Sequence, residues 1–173
     1  MTRVLILTGT CGSGKTTISK LLAEELGWER IVEDDIWHNR FGKNRGAFLT
    51  NEHRRKRRQV HDKVFSSIMS GLASGRNIVV DVTVHETPPE AFEEYRSFLN
   101  SVGVDWSLKV LHPRLEVAVA RDANRRCWSV GADAVRSLHV KFTGMVFGHG
   151  CYIDNSDETP HETMGRLMSE VAA

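Results

Sequence analysis

Near the start of the chain, Gly9-Thr10-Cys11-Gly12-Ser13-Gly14-Lys15-Thr16 satisfies the pattern G-x-x-x-x-G-K-[ST]. The residue types state the chemistry. Glycines at 9, 12 and 14 let backbone N–H groups converge on phosphate oxygens, and a helix beginning there adds its positive end. Lys15 can reach the β- and γ-phosphates of a nucleotide, and the Thr16 hydroxyl is placed to ligate Mg²⁺. Residues 9–17, Thr17 included, are therefore expected to hold ATP. Cys11 reads either as a reactive thiol near a helix N-terminus or as a small filler whose backbone does the binding.

Three further groups could act on a nucleotide held there. Asp34-Asp35 follows a short apolar run; either residue could deprotonate a hydroxyl as it attacks the γ-phosphate, or could cap the helix that begins there. Asp81 ends Ile78-Val79-Val80 and can hold a Mg²⁺-bound water. Arg121 and Arg125 are four apart, and on a helix they would share a face and grip a transferring phosphoryl group. Candidates for the acceptor side are Trp37, His38, Arg40, Arg54, Arg58, Thr83 and His85. The basic run Arg54-Arg55-Lys56-Arg57-Arg58 cannot all face one way on a helix. It reads as a solvated face, as one or two arginines (Arg54, Arg55 or Arg58) entering the cleft, or as a nucleic-acid contact.

The elements that position these groups follow from periodicity. Val4–Leu7 is apolar and β-branched, as a buried parallel strand requires, and Ile18, Leu21, Leu22, Glu25 and Leu26 recur at helical spacing before Gly27. Strands are expected at Glu29–Glu33, Gly75–Thr83, Trp106–Leu111 and Cys151–Asp154. Helices are expected from Asp34 or Asp35, from Asn51 through the Val60, Val64, Ile68, Leu72 stripe, over 88–101, over Leu115–Arg126 and over Ala132–Phe147. His139 reads as a satisfied histidine at the core edge. Thr159-Pro160-His161-Glu162 opens the last helix with a capping box. Five strands each followed by a helix force an α/β fold, a parallel sheet with helices on both faces.

Composition narrows the class. The chain has 173 residues, 40% hydrophobic and 26% charged, which suits one ordinary globular domain over 1–173, and its formal net charge of +1 argues neither for nor against nucleic acid, so any basic patch is judged locally. No apolar run is long enough to span a membrane and no signal-peptide pattern opens the chain, so a cytoplasmic location is expected. Cys11, Cys127 and Cys151 suggest neither a disulfide framework nor a zinc site.

With these residues in place, the chain resembles the P-loop kinase superfamily, and within it the small phosphotransferases of the chloramphenicol phosphotransferase and polynucleotide kinase-like group, with gluconate and shikimate kinases more distant. The resemblance rests on Gly9–Thr16, Asp34-Asp35-Ile36 followed by Phe41-Gly42, Asp81-Val82-Thr83, Arg121-Asp122-Ala123-Asn124-Arg125 and Ile153-Asp154-Asn155-Ser156. Val84 stands where some members carry Asn. The resemblance implies a sheet of order 2-3-1-4-5, a short lid over about 121–131, and Asp154 and Asn155 against the adenine. It implies an ATP- and Mg²⁺-dependent transfer to a hydroxyl of a small polar molecule such as a sugar acid, nucleoside or antibiotic. The base is Asp34 on a polynucleotide-kinase-like register and Asp35 on a gluconate-kinase-like one. Two other readings stay open: a nucleic-acid 5′-hydroxyl kinase or binder, and an ATPase or switch with no acceptor.

Overall fold

The computed structural model describes residues 2–42, 50–83, 90–125, 129–145, 147 and 150–172. In chain order these form β1 (Arg3–Gly9), α1 (Lys15–Leu26), β2 (Glu29–Val32), α2 (Glu33–Phe41), α3 (Asn51–Ala73), β3 (Ile78–Asp81), α4 (Glu90–Val102), β4 (Asp105–Leu111), α5 (Leu115–Ala123), α6 (Ala132–Gly144), β5 (Tyr152–Ile153) and α7 (Pro160–Ala172). The strands make one parallel sheet of order β2-β3-β1-β4-β5, as expected. Because every pair is parallel, all the strands end on one edge, where the Gly-rich loop, Asp34, Asp81 and the 154–155 segment all emerge.

Alternation along β1 sends its side chains to two cores. Val4 and Ile6 join Val60, Val64, Tyr95 and Phe142 under α3, α4 and α6, while Leu5 and Leu7 join Ile18, Leu22 and Leu167 under α1 and α7. Leu26, expected on the apolar stripe of α1, is instead exposed. Gly27 ends that helix in the left-handed conformation, with its N–H on the Leu22 carbonyl, as a C-terminal glycine stop should. The capping box of α7 forms: the Thr159 N–H donates to Glu162 Oε2 at 2.8 Å, and the Glu162 N–H to Thr159 Oγ1 at 3.3 Å.

Several boundaries differ from the sequence reading. Helix α2 starts at Glu33 with Val32 in the cap position and no side-chain cap, so neither Asp34 nor Asp35 is a cap; both lie in its first turn. Helix α5 stops at Ala123, with Asn124 closing it, so Arg125 lies beyond the helix and does not share its face with Arg121. Strand β3 is confined to residues that can pair with β1 and β2, and β5 to the two that pair with β4. Among the described residues, no helix is long and apolar enough to cross a membrane.

Candidate active site

The loop between β1 and α1 is built as a cradle. Gly9, Gly12 and Gly14 all take positive φ (144°, 76° and 98°). A Cβ on Gly12 would lie 2.1 Å from the Ala118 carbonyl oxygen, and one on Gly9 would lie 2.2 Å from that of Leu111, so the loop lies flat against α5 and β4. The first N–H groups of α1 have no acceptor within the helix and point into the loop. Thr10 and Ser13 are fully buried, and their hydroxyls find no partner among the described residues. Lys15 Nζ folds back to donate to the carbonyls of Gly9 (2.9 Å) and Thr10 (3.2 Å). Thr16 and Thr17 are exposed at the mouth. Converging donors, an ammonium group and open hydroxyls fit a nucleotide polyphosphate and its Mg²⁺. Burial pushes the Cys11 thiol up, against the pull of Lys15 and Arg125, so the filler reading of Cys11 holds better than the reactive one.

The carboxylates separate by environment. Asp34 is half-buried and its charge is felt at Cys11, whereas Asp35 is exposed. Asp81 is buried at the end of β3; its Oδ2 accepts from Ser19 Oγ at 3.1 Å and pairs with Arg30 Nη2 at 3.2 Å. Arg30 Nε in turn donates to Ser19 Oγ at 2.7 Å, which ties β2, β3 and α1 together behind the loop.

The arginines also separate. Arg121 Nη2 donates to the Asn155 carbonyl at 3.0 Å, and Asn155, itself buried, donates from Nδ2 to the Ser13 carbonyl at 3.0 Å. Arg121 therefore braces the 155 segment against the loop. Asp154 is exposed, and its carboxyl is held below the usual range by the hydrogen bond from the Ser156 hydroxyl. Arg125 Nη1 stands 3.6 Å from Asp122 Oδ1. Asp122 is buried, and its Oδ2 accepts from Ser129 Oγ (2.6 Å) and the Val130 N–H (3.0 Å), which pins the chain beyond α5. Residues 126–128 of the expected lid lie outside the described residues.

The acceptor candidates do not all reach the cleft. Trp37 is a core residue, 1% exposed, with its ring 5.4 Å from Phe41 and 5.1 Å from His53. His38 is half-buried, and its carbonyl accepts from the Gly42 N–H. Arg40 donates to Gln59, Thr83 is half-buried, and Arg54, Arg55 and Arg58 are exposed. Val84 and His85 lie outside the described residues. The buried member of the basic run is Arg57, paired with Glu94 at 3.4 Å, and His61 one turn on is buried as well. Extending the Val60, Val64, Ile68 stripe backward by helical steps reaches Arg57 and His53, a signal the density of charge obscured. His139 accepts its predicted role, its Nε2 2.9 Å from the Pro113 carbonyl oxygen.

The chain is similar to known proteins in sequence and in fold. A family model described as an AAA domain matches residues 4–139. A shikimate kinase of Azobacteroides pseudotrichonymphae genomovar. CFP2 is 31% identical over 125 residues, covering 72% of this chain and 68% of that protein. A probable gluconokinase of Rattus norvegicus is 32% identical over 105 residues, 59% of this chain and 51% of that one. Among solved structures, a sugar kinase from Janibacter sp. HTCC2649 superposes with a TM-score of 0.71 at 21% identity, over 99% of this chain and 95% of that one.

Proposed function

The chain belongs to the AAA-domain family of P-loop kinases and is an ATP-dependent kinase, and from that premise we propose a donor half at residues 9–17 facing an acceptor half organised by Asp34. The reaction moves the γ-phosphoryl group of ATP to a hydroxyl of a small polar acceptor such as a sugar acid, nucleoside or antibiotic-like alcohol. The loop N–H groups and Lys15 bind the β- and γ-phosphates, exchanging the Gly9 and Thr10 carbonyls for phosphate oxygens at Nζ. Thr16 and, through water, Asp81 would hold Mg²⁺, which when bound would supply positive charge to screen those phosphates. Asp34 accepts the acceptor's proton as its oxygen attacks phosphorus and the bond to the bridging oxygen of ADP breaks. Arg125, next to the loop, neutralises charge on the transferring group, and Arg121 holds the nucleotide-side segment in register.

The observation that carries the choice of base is burial: Asp34 is half-buried in the first turn of α2, at the sheet edge where the phosphate loop emerges, while Asp35 is exposed to solvent. A coupled ADP-release screen across hydroxyl acceptors, with Lys15→Ala as the blank, tests the reading. Asp34→Asn should lower acceptor-dependent turnover by about 10²-fold or more, and Asp35→Asn by far less. Full turnover in Asp34→Asn would remove the assignment, and retained hydrolysis without any stimulating acceptor would favour a bare ATPase.

A further inference from the structure

We propose that His61, gripped between Glu33 of α2 and Glu94 of α4, is a positioning residue that fixes the first turn of α2 and with it Asp34 against the phosphate loop. The inference rests on the reading of Asp34 as the acceptor-side base.

His61 lies in the middle of α3 and is 1% exposed. Its Nδ1 contacts Glu94 Oε2, and its Nε2 stands 3.5 Å from Glu33 Oε1. An ionised carboxylate only accepts hydrogen bonds, so Nδ1 donates to Glu94, and a second proton on Nε2 would face Glu33. The 3.5 Å separation to Glu33 is long for a hydrogen bond, so that contact is mainly ionic. The groups facing the ring from each packed element are Glu33 from α2, Glu94 and Tyr95 from α4, and Arg57 from α3 itself, which pairs with Glu94 at 3.4 Å. Two carboxylates thus meet two cations, and burial keeps the Tyr95 phenol neutral by pushing it up. Burial alone would lower the imidazole, but the contacts with Glu33 and Glu94 outweigh it and hold His61 at about 9. Arg58 and Asp62 line the open groove on the outer side of the pair.

Glu33 is the first residue of α2 and precedes Asp34 directly. No side chain caps this helix, and its second half is fixed by Trp37 and Phe41 packing on the core. Ile36 packs the inner side of the first turn on the core, and the ion pair from His61 is the contact that holds Glu33 at its start. The carboxylate expected to take the substrate proton is therefore placed by a cation on another helix, through the residue next to it in the chain.

The test uses Cys11 as a local reporter, in a Cys127→Ser, Cys151→Ser background, because its thiol, pushed up first by burial, is raised further by the charges of Asp122 and Asp34. Iodoacetamide rates against pH are measured for Asp34→Asn, for the neutral pair Glu33→Gln with His61→Asn, and for all three changes together. The neutral pair leaves no buried charge unmatched, so folding does not hinge on an orphaned carboxylate. Each of the first two should raise the Cys11 rate at neutral pH, and the triple variant should be no faster than Asp34→Asn alone. Additive rates would overturn the proposal, as would an unchanged rate in the neutral pair. ¹⁵N spectra of His61 should show an imidazolium up to about pH 9 that titrates below the ordinary 6.5 in Glu33→Gln, Glu94→Gln, where burial acts alone; a neutral ring at pH 7 in the native chain would also overturn it. Turnover of Asp34→Asn is scored separately, so failure of the base assignment and failure of the positioning role give different results.

Discussion

Gly12 shows how little freedom the site has at the level of one residue. Its φ of 76° is costly for a residue with a Cβ, and that Cβ would sit 2.1 Å from a backbone carbonyl of α5, which cannot rotate away. Gly12→Ala should lower stability by about 1–2 kcal/mol from backbone strain alone. Displacement of the loop should weaken ATP binding about tenfold or more, read by calorimetry and a thermal melt on the same sample. Trp37 teaches the opposite lesson. An aromatic residue beside a carboxylate pair suggests stacking on a substrate, yet here it fills the core between α2 and α3, with its ring against Phe41 and His53.

Elements carry the pH response. The folded-state pKa of His61, about 9, lies above the ordinary 6.5, so its contribution to stability is complete below pH 6.5 and is lost as pH rises through 9. The difference corresponds to about 3 kcal/mol. Urea unfolding at pH 6.5 and 9.5 should show a loss of that order in the native chain and little of it in the neutral Glu33→Gln, His61→Asn pair. Helix α7 depends on its start: Thr159→Ala removes the acceptor for the Glu162 N–H and should cost about 1 kcal/mol, seen as a fall in Tm of about 2–4 °C. Helix α5 ends earlier than its arginines suggest because the buried Asp122 draws Ser129 and Val130 back onto it. That contact decides where Arg125 stands.

Across the whole molecule, the site is closed by a contact between residues 142 positions apart, Asn155 Nδ2 on the Ser13 carbonyl. It joins the segment after the last strand to the loop after the first, and Arg121 braces it from α5. Asn155→Ala leaves a buried carbonyl without its partner and should cost about 1–3 kcal/mol. The KM for ATP should rise while the turnover at saturation changes little, because the contact lies behind the nucleotide and not at the transferring phosphoryl group. An equal fall in turnover at saturation would place Asn155 in the chemistry instead.

The sequence by itself determined the phosphate loop, the five parallel strands, the α7 capping box and the carboxylates on the strand ends, because each depends on local spacing: glycines at fixed offsets, apolar runs, and Thr159 with Glu162 three residues on. Tertiary structure alone decided which charges are buried. Arg57 stands inside a run that reads as solvated and His61 one turn beyond it, and they are buried because Glu33 and Glu94 arrive from other helices to meet them. Likewise Asp34 and Asp35 are neighbours in the chain, and only the packing of α2 half-buries one and leaves the other in water. The stripe of α3 reaches Arg57, but the carboxylate that lets it be buried comes from another helix and leaves no trace in the local spacing.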